Sequence, residues 1–431
     1  MIRVFGGSDM SRPKHTPPKN STELKQKTEE MSQNVQTAEN FAQSAQTEVF
    51  PFDSNNIGLV VTDGDNDGTA CAAIVLAVYA DRKLQAPGVH AFNRNDRNPQ
   101  VLLDKLASAG ASGKSVLVTD TAPDAKTFVS WIALTKGRIQ VCDHHISTAN
   151  DFAGIPDANK HFVQNTKCSA QLVCELFFPD GKVPANISTV VDLVNIHDLF
   201  LYDVMEAEAR AMDPGSPTIA NVMARCERAR QFFKYMMIKK SVDEMVKCFN
   251  PAHFENALVV GAQVGTHYNA ILANQLGSQT LTTVKITSAE GTQVVNVLNI
   301  VTSDIDLILP NGYVIKGSAT PVVVAEKAIG SLNSFAFISD LGNLGLKALP
   351  VADVTARNTK YGATATVSAI FNIKADGTGT GVSFRALAGG GDCGKVAKAF
   401  GGGGNALTAG GVNFPGAVFD LHRENVCEIL G

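Results

Sequence analysis

The sequence predicts an α/β protein in which a parallel-sheet domain with crossover helices precedes a helical connector and a smaller α/β C-terminal domain. From Ile57 onward, short β-rich runs alternate with longer helical patterns, as in a parallel sheet. A charged helical stretch follows a break of Pro, Gly and Ser near Asp213. Further β-rich runs then lead into a glycine-dense end, Gly389 to Gly411.

The composition limits what the 431-residue chain does. Hydrophobic residues make up 45% and charged residues 18%, which is typical of a soluble globular protein. No apolar stretch is long enough to cross a bilayer, so we expect no membrane partner. The net charge of -4 excludes an overall basic field for duplex nucleic acid. Eight scattered cysteines without C-x-x-C pairs, and no secretory signal, predict a cytoplasmic protein.

The first 52 residues are predicted to form a disordered or weakly helical arm, because they are polar and contain few large apolar side chains. Apolar residues at roughly heptad spacing allow two interpretations, a transient helix or a helix that docks a partner or a second copy. These residues are Leu24, Met31, Val35, Ala38, Ala42 and Ala45. The predicted units are the arm (1–52), a catalytic domain (53–212), a helical connector (213–251) and a substrate-binding domain (252–431).

Each strand and helix is predicted from the spacing of the hydrophobic residues along the sequence. In the first domain the strands are 57–62, 89–92, 115–119 and 139–142, and the helices between them are 69–85, 100–109 and 125–135. Helices follow at 169–178, 187–202, 218–249 and 254–276. The last domain has predicted strands at 281–287, 293–301, 335–339, 365–373 and 381–387, with an inserted hairpin at 307–317.

Acidic residues follow three of the first four predicted strands. The residues concerned are Asp63, Asp65 and Asp67 after the first, Asp120 after the third, and Asp143, His144 and His145 after the fourth. The carboxyl ends of parallel strands meet at one edge, so these groups should converge. Crowded carboxylates repel one another and persist chiefly when a cation is bound. Oxygen ligands with one or two imidazoles suit Mn²⁺ or Mg²⁺, and there are enough acids for two ions.

Five segments together resemble the DHH phosphoesterase superfamily. DGDNDG (63–68), Asp120, the DHH triplet (143–145) and IHDLF around Asp198 resemble its motifs one to four. FGGGGNALTAGG (400–411) is similar to the GGGH-type signature of the DHH-associated C-terminal domain. The resemblance extends from about Ile57 to Gly411 and implies a metal-dependent phosphoesterase.

The resemblance also implies a role for each site residue. One metal ion would be bound by Asp63, Asp65 and Asp120, and the other by Asp67, Asp120, His144 and Asp198. Asp120 would bridge the two ions, and a bridging hydroxide would be the nucleophile. Asp143 would orient His144, and His145 would face the substrate phosphate. The implied catalytic residues are thus Asp120, Asp143 and His145.

The fourth motif offers two carboxylates, Asp192 and Asp198, within VVDLVNIHDLF. The sequence HDLF resembles the RDLW-like sequence of the family's fourth motif and favours Asp198. The neighbouring His197 is predicted to be a packing residue at the helix end.

The C-terminal signature is predicted to bind the substrate. Backbone amides of Gly402, Gly403 and Gly404 would cradle a phosphate, with Asn405 beside them and Arg385 paired to a phosphate or terminal nucleotide. Asn405 stands where the family usually has His and carries no positive charge, which leaves the substrate open.

The leading hypothesis is a manganese-dependent phosphodiesterase or phosphatase acting on oligoribonucleotides, dinucleotides or a nucleoside bisphosphate. A RecJ-like single-strand DNA exonuclease is an alternative that Asp63 favours, although no basic stretch with interleaved aromatic residues is evident. A non-catalytic binding or assembly protein is another alternative. A pyrophosphatase or exopolyphosphatase would share the same metal chemistry.

Overall fold

The structure is a computed structural model that describes most of the chain after residue 49. The described residues are 50–92, 99–145, 152–162, 166–213, 215–289, 291–319, 321–324, 327–374, 376–387, 389–404, 406–422 and 426–431. Apart from residues 50–52, the predicted arm lies outside these ranges. No helix in the described part of the chain is both long and apolar enough to span a bilayer.

The first half is built on a five-stranded parallel sheet with the order β2-β1-β3-β4-β5. The strands are β1 (Ile57–Thr62), β2 (Gly88–Ala91), β3 (Ser115–Thr119), β4 (Ile139–Asp143) and β5 (Lys160–Phe162). The crossover helices are α1 (Asn66–Asp81), α2 (Pro99–Ala111) and α3 (Ala125–Leu134). The central strand β3 is buried along its whole length, as expected of a parallel strand covered on both faces.

The helices that follow cover the α1 side of this sheet. They are α4 (Ser169–Phe177), α5 (Ala185–Asp198), α6 (Tyr202–Arg210), α7 (Pro217–Lys239) and α8 (Val242–Lys247). Their apolar faces share one core with α1. The predicted helix 187–202 is interrupted at Phe200, which has a φ of 51°, so α5 ends at Asp198. The predicted helix 218–249 is divided at Ser241, whose side chain caps α8.

The second half is a seven-stranded mixed sheet with the order β14-β15-β13-β12-β7-β6-β16. The long helix α9 (Pro251–Leu276) leads into it. The strands of this sheet are β6 (Thr280–Ser288), β7 (Gly291–Ser303), β12 (Ala365–Ile373), β13 (Gly379–Arg385), β14 (Gly403–Gly404), β15 (Thr408–Pro415) and β16 (Cys427–Ile429). Strands β7 and β12 are parallel, and the remaining pairs are antiparallel.

Smaller elements complete the second half. Two hairpins pair β8 (Leu307–Ile308) with β9 (Val314–Ile315) and β10 (Pro321–Val324) with β11 (Lys327–Ser331). The helices are α10 (Ile338–Lys347), α11 (Val351–Tyr361) and α12 (Cys393–Ala399).

These observations confirm the predicted α/β fold class and a hairpin within 307–317. That this hairpin is an insertion stays a prediction. The strand predicted at 335–339 is wrong, because this segment forms a 3₁₀ turn, Ser334–Phe337, followed by α10. Ile338, Leu341 and Leu346 bury a helical stripe there, and this packing overrides the β propensity of the aromatic run. The predicted domain limits stay a prediction, and the two main sheets fall within 53–212 and 252–431.

A buried cation connects helix α7 to the second half. Lys234 Nζ lies 3.7 Å from a carboxylate oxygen of Asp340 and 3.0 Å from the ring centroid of Tyr268. The Tyr268 hydroxyl donates to the same Asp340 at 2.5 Å. Asp340 lies in the first turn of α10, so this contact joins α7, α9 and α10.

Candidate metal centre

The ends of β1 and β3 are held together by buried hydroxyl groups. The Thr119 hydroxyl donates to Thr62 Oγ1 at 2.9 Å, and the Thr62 hydroxyl donates to the carbonyl of Gly68 at 2.7 Å. Asp120 follows directly with a φ of 58°, a left-handed conformation that is uncommon outside glycine. Its amide still donates to the Cys142 carbonyl, which extends the β3–β4 pairing by one residue. The Asp120 side chain is therefore fixed at the rim of the sheet, 1% exposed.

Asp67, in the first turn of α1, sits on the amino terminus of α4. Its Oδ2 accepts the backbone N–H of Ser169 at 2.7 Å, and its Oδ1 accepts that of Ala170 at 2.9 Å. The helix dipole favours a negative charge at this position. Asp67 is 1% exposed, so its carboxylate is held in place without access to bulk water.

His144 is the point at which three carboxylates converge. Its Nε2 lies 4.0 Å from Asp67 Oδ2, 3.4 Å from Asp120 Oδ1 and 3.2 Å from Asp198 Oδ2. The ligand atoms of Asp67, His144 and Asp198 lie within 4.8 Å of one another, as do those of Asp120, Asp143, His144 and His145. The structure thus brings together side chains from β3, β4, α1 and α5.

Burial and mutual repulsion shift the pKa values of the side chains in this cluster. Burial, followed by the charges of Asp67 and Asp65, raises the pKa of Asp120 well above its usual value. The same causes raise the pKa of Asp198 to about 8. Burial also raises the pKa of Asp67, and burial together with His145 lowers that of His144. Without a cation, the site therefore disfavours ionised carboxylates.

Asp143 contacts both of the histidines that follow it. Its Oδ1 lies 2.6 Å from His145 Nδ1 and accepts the backbone N–H of His144 at 2.8 Å. The hydrogen bond that the Asp143 carboxylate accepts raises the pKa of His145. The carboxylate of Asp143 thus holds the main chain of His144 and the ring of His145, and the expectation that it orients His144 stays a prediction. The side chain of His145 is 50% exposed and is available to a ligand from solvent.

Asp63 and Asp65 lie at the open side of the cluster. Asp65 caps α1 by accepting the Gly68 N–H at 3.0 Å and is exposed. Asp63 accepts the N–H of Gly64, and burial followed by the charge of Asp65 raises its pKa. The positive charge of Lys240, at the end of α7, opposes that rise. Their assignment as ligands of the first ion stays a prediction.

The structure distinguishes the two carboxylates of α5. Asp192 is paired with Arg225, whose Nε and Nη2 donate to it at 3.0 and 2.5 Å. Asp198 faces His144 instead. His197 stacks on Phe233 with ring centroids 3.4 Å apart, and its Nδ1 lies 2.9 Å from the Tyr202 hydroxyl, as a packing residue should.

The residues present fit a divalent metal centre. Asp120 Oδ2, His144 Nε2 and Asp198 Oδ2 are buried, and none has a hydrogen-bond partner of acceptable geometry among the described residues. Buried polar atoms are normally paired, so three such atoms in one cluster call for a missing partner. Carboxylate oxygens and an imidazole nitrogen form the donor set that Mn²⁺ and Mg²⁺ accept.

Arg385, at the end of β13, is a partly buried cation in the second half. Its Nη1 donates to the Phe384 carbonyl at 2.7 Å, and its Nη2 donates to Ser339 Oγ at 3.1 Å. Its Nε is buried without a partner among the described residues, and burial lowers its pKa. The aliphatic part of the Arg385 side chain lies over Gly342 of α10. A methyl group added to Gly342 would lie 2.6 Å from Arg385 Cγ.

The glycine segment is only partly available to an anion. The N–H of Gly402 donates to the Ala397 carbonyl at 2.9 Å and so completes the end of α12. This corrects the expectation that the Gly402 amide cradles a phosphate. Gly403 and Gly404 are exposed and pair with β15 as the two-residue strand β14. Asn405 lies outside the described residues.

No protein-family model matches the chain, and no curated protein matches it significantly. Among solved structures, the chain is similar to exonuclease RecJ bound to manganese, with 11% identity, a TM-score of 0.43 and coverage of 89% of each chain. It is also similar to the pGpG-specific phosphodiesterase PggH from Vibrio, with 12% identity, a TM-score of 0.35 and coverage of 84% of this chain and 93% of that one.

CDC45 from Entamoeba histolytica is a third similar structure, with 10% identity, a TM-score of 0.38 and coverage of 82% of this chain and 92% of that one. All three TM-scores lie below 0.5.

One residue that contacts the site, Ser169, and one that anchors the neighbouring turn, Asn195, were not predicted from the sequence. Ser169 donates its hydroxyl to Asp120 Oδ1 at 3.1 Å, and Asn195 Oδ1 accepts the N–H of Cys168 at 2.8 Å. The partners of Ser169, Asp120 and Asp67, are 49 and 102 positions away. No local pattern marks such long-range contacts.

Replacing either carboxylate of α5 by its amide separates the two candidates. We expect Asp198→Asn to weaken Mn²⁺ binding by more than about 10-fold, because a neutral amide is a poorer ligand. Asp192→Asn, the matched control, should bind Mn²⁺ as the wild type does, because it loses only an ion pair at the surface. Isothermal titration calorimetry measures both. In EDTA the unfolding midpoint of Asp198→Asn should not fall, since the change relieves repulsion. Equal affinities in the two variants would refute the assignment.

Proposed function

We propose that the protein is a metal-dependent phosphoesterase that hydrolyses short nucleotide substrates: oligoribonucleotides, dinucleotides or a nucleoside bisphosphate. The observation that supports this best is the convergence of Asp67, Asp120 and Asp198 on Nε2 of His144, with three ligand atoms left unpaired. Such clustered acids are costly in a structural core and are common where a cation is bound.

Two manganese ions are the cofactor that we propose, with magnesium as the alternative. Asp63, Asp65 and Asp120 would hold one ion, and Asp67, Asp120, His144 and Asp198 the other. Bound divalent cations supply an activated water and stabilise charge at phosphorus.

The chain's own residues supply orientation and charge. Asp120 is fixed by its left-handed backbone, and Asp67 by the amides of α4. His145 presents a half-exposed imidazole whose raised pKa favours the cationic form. A cationic imidazole would bind a phosphate oxygen and hold it at the rim of the sheet.

Arg385 is the proposed contact for the far end of the substrate. Its guanidinium is anchored by Ser339 and the Phe384 carbonyl and retains an unpaired Nε for an acceptor. Gly403, Gly404 and Asn405 are proposed to bind the same end of the substrate. A site that recognises one terminal phosphate favours a short substrate over a long strand. The eight cysteines are free and buried, which fits the reducing cytosol that we propose as the location.

A hydrolysis screen with Mn²⁺ tests the proposal. The substrates are dinucleotides, cyclic dinucleotides, a nucleoside bisphosphate, single-stranded DNA of increasing length and pyrophosphate. We expect turnover of the short nucleotides, abolished by EDTA and restored by Mn²⁺. Asp120→Asn should lower kcat/KM by more than about 100-fold, because a ligand shared by both ions is lost. Asn also tolerates the left-handed backbone of that position.

Other outcomes of the same screen identify the alternatives. Activity that rises with DNA length would indicate a RecJ-like exonuclease, and activity on pyrophosphate alone would indicate a pyrophosphatase. Mn²⁺ binding without turnover of any substrate would favour a non-catalytic protein. Undiminished activity of Asp120→Asn would contradict the proposed centre itself.

Substitution of Gly342 tests the role of Arg385 without altering the metal ligands. In Gly342→Ala the added methyl group would lie 2.6 and 2.8 Å from Arg385 Cγ and Cβ, so the side chain must move. We expect KM to rise roughly 10-fold, the value of about one charged hydrogen bond, with little change in Mn²⁺ affinity. Steady-state kinetics and calorimetry measure the two quantities.

Gly265→Ala is the matched control for that variant. This helical glycine of α9 has only Lys234 Cγ nearby, at 3.9 Å, so a methyl group fits without displacing a neighbour. A KM of Gly342→Ala equal to those of the control and the wild type would exclude Arg385 from substrate binding.

A further inference from the structure

The amino-terminal turn of α4 contacts the metal centre at several points. The backbone N–H groups of Ser169 and Ala170 donate to Asp67, and the hydroxyl of Ser169 donates to Asp120 Oδ1 at 3.1 Å. One residue, Ser169, therefore touches two of the carboxylates that converge on His144. Its side chain is fully buried, with 0% exposure.

The turn itself is anchored by the helix that carries Asp198. Asn195 of α5 accepts the N–H of Cys168 at 2.8 Å, and Asp198 lies three residues further along the same helix. Adjacent turns of a helix present residues three apart on one face. The position of α4 is thus fixed relative to the third carboxylate as well.

The two oxygens of Asp120 are in different situations. Oδ1 accepts the Ser169 hydroxyl and lies 3.4 Å from His144 Nε2, whereas Oδ2 is buried without a partner among the described residues. A carboxylate with one oxygen held by a fixed donor cannot rotate freely about its last bond. The hydroxyl therefore determines where the unpaired oxygen points.

We infer that Ser169 is a positioning residue that sets the orientation of the Asp120 carboxylate for a divalent cation. The inference rests on the proposed function and adds a residue that none of the predicted motifs contains. Ser169 touches neither substrate nor reacting atoms and acts through Asp120. Outer partners of metal ligands commonly alter metal affinity by roughly 10-fold to 100-fold.

Ser169→Ala removes the hydroxyl and keeps the backbone N–H that holds Asp67. We expect the Mn²⁺ dissociation constant, measured by isothermal titration calorimetry, to rise roughly 10-fold or more. The unfolding midpoint in EDTA should fall only slightly, because one hydrogen bond to a buried carboxylate is lost, and the variant should be fully folded at the temperature of the titration. With saturating Mn²⁺, kcat should fall more than KM rises, since Ser169 contacts no substrate.

Ser112→Ala is the matched control, because its hydroxyl donates to the carbonyls of Ser108 and Ala109 at the end of α2. It should bind Mn²⁺ as the wild type does. Ser169→Thr restores a hydroxyl at the same position. If Ser169→Thr has the wild-type unfolding midpoint in EDTA, it should recover most of the Mn²⁺ affinity that Ser169→Ala loses.

Three results would overturn the inference. The first is an unchanged Mn²⁺ affinity in Ser169→Ala. The second is a loss of affinity in proportion to a loss of stability in EDTA, which would show a structural role only. The third is a well-folded Ser169→Thr that binds no better than Ser169→Ala. A wild-type protein that binds no Mn²⁺ would instead overturn the proposed function, so the two failures are distinguishable.

Discussion

Repulsion between buried carboxylates is the constraint on which the rest of this structure depends. Asp67 and Asp120 are each 1% exposed, and Asp198 lies close enough to raise their electrostatic cost. Ionised acids in such a site are stable only when opposite charge is near. One imidazole, whose own pKa is lowered, does not supply that charge. The cluster is therefore the place where we propose that a cation binds.

Several elements of the fold hold the clustered side chains in place. The parallel sheet brings β1, β3 and β4 to a common edge, and the hydroxyls of Thr62 and Thr119 join the ends of β1 and β3. Helix α4 provides amides for Asp67 and a hydroxyl for Asp120. Helix α5 ends at Asp198 because the chain turns at Phe200. Backbone strain and unfavourable charge are thus concentrated at one rim, as is common at functional sites.

Much of this arrangement was predictable, because strand-end acids and their order report directly on the edge of a parallel sheet. The sequence HDLF already favours Asp198 over Asp192, and the structure adds that Asp192 is paired with Arg225. The division of the connector had a local signal, the Ser241 cap with Glu244 three residues later. No local sequence signal predicted the turn at Phe200. Gly402 was misassigned because sequence cannot show that a helix end occupies its amide.

We propose that divalent cations occupy the space between Asp120, His144 and Asp198. Anomalous diffraction at the manganese absorption edge, from crystals grown with excess Mn²⁺, tests it most directly. We expect anomalous density within coordination distance of Asp120 Oδ2, His144 Nε2 and Asp198 Oδ2. Ordered density for these side chains without an anomalous peak among them would contradict it.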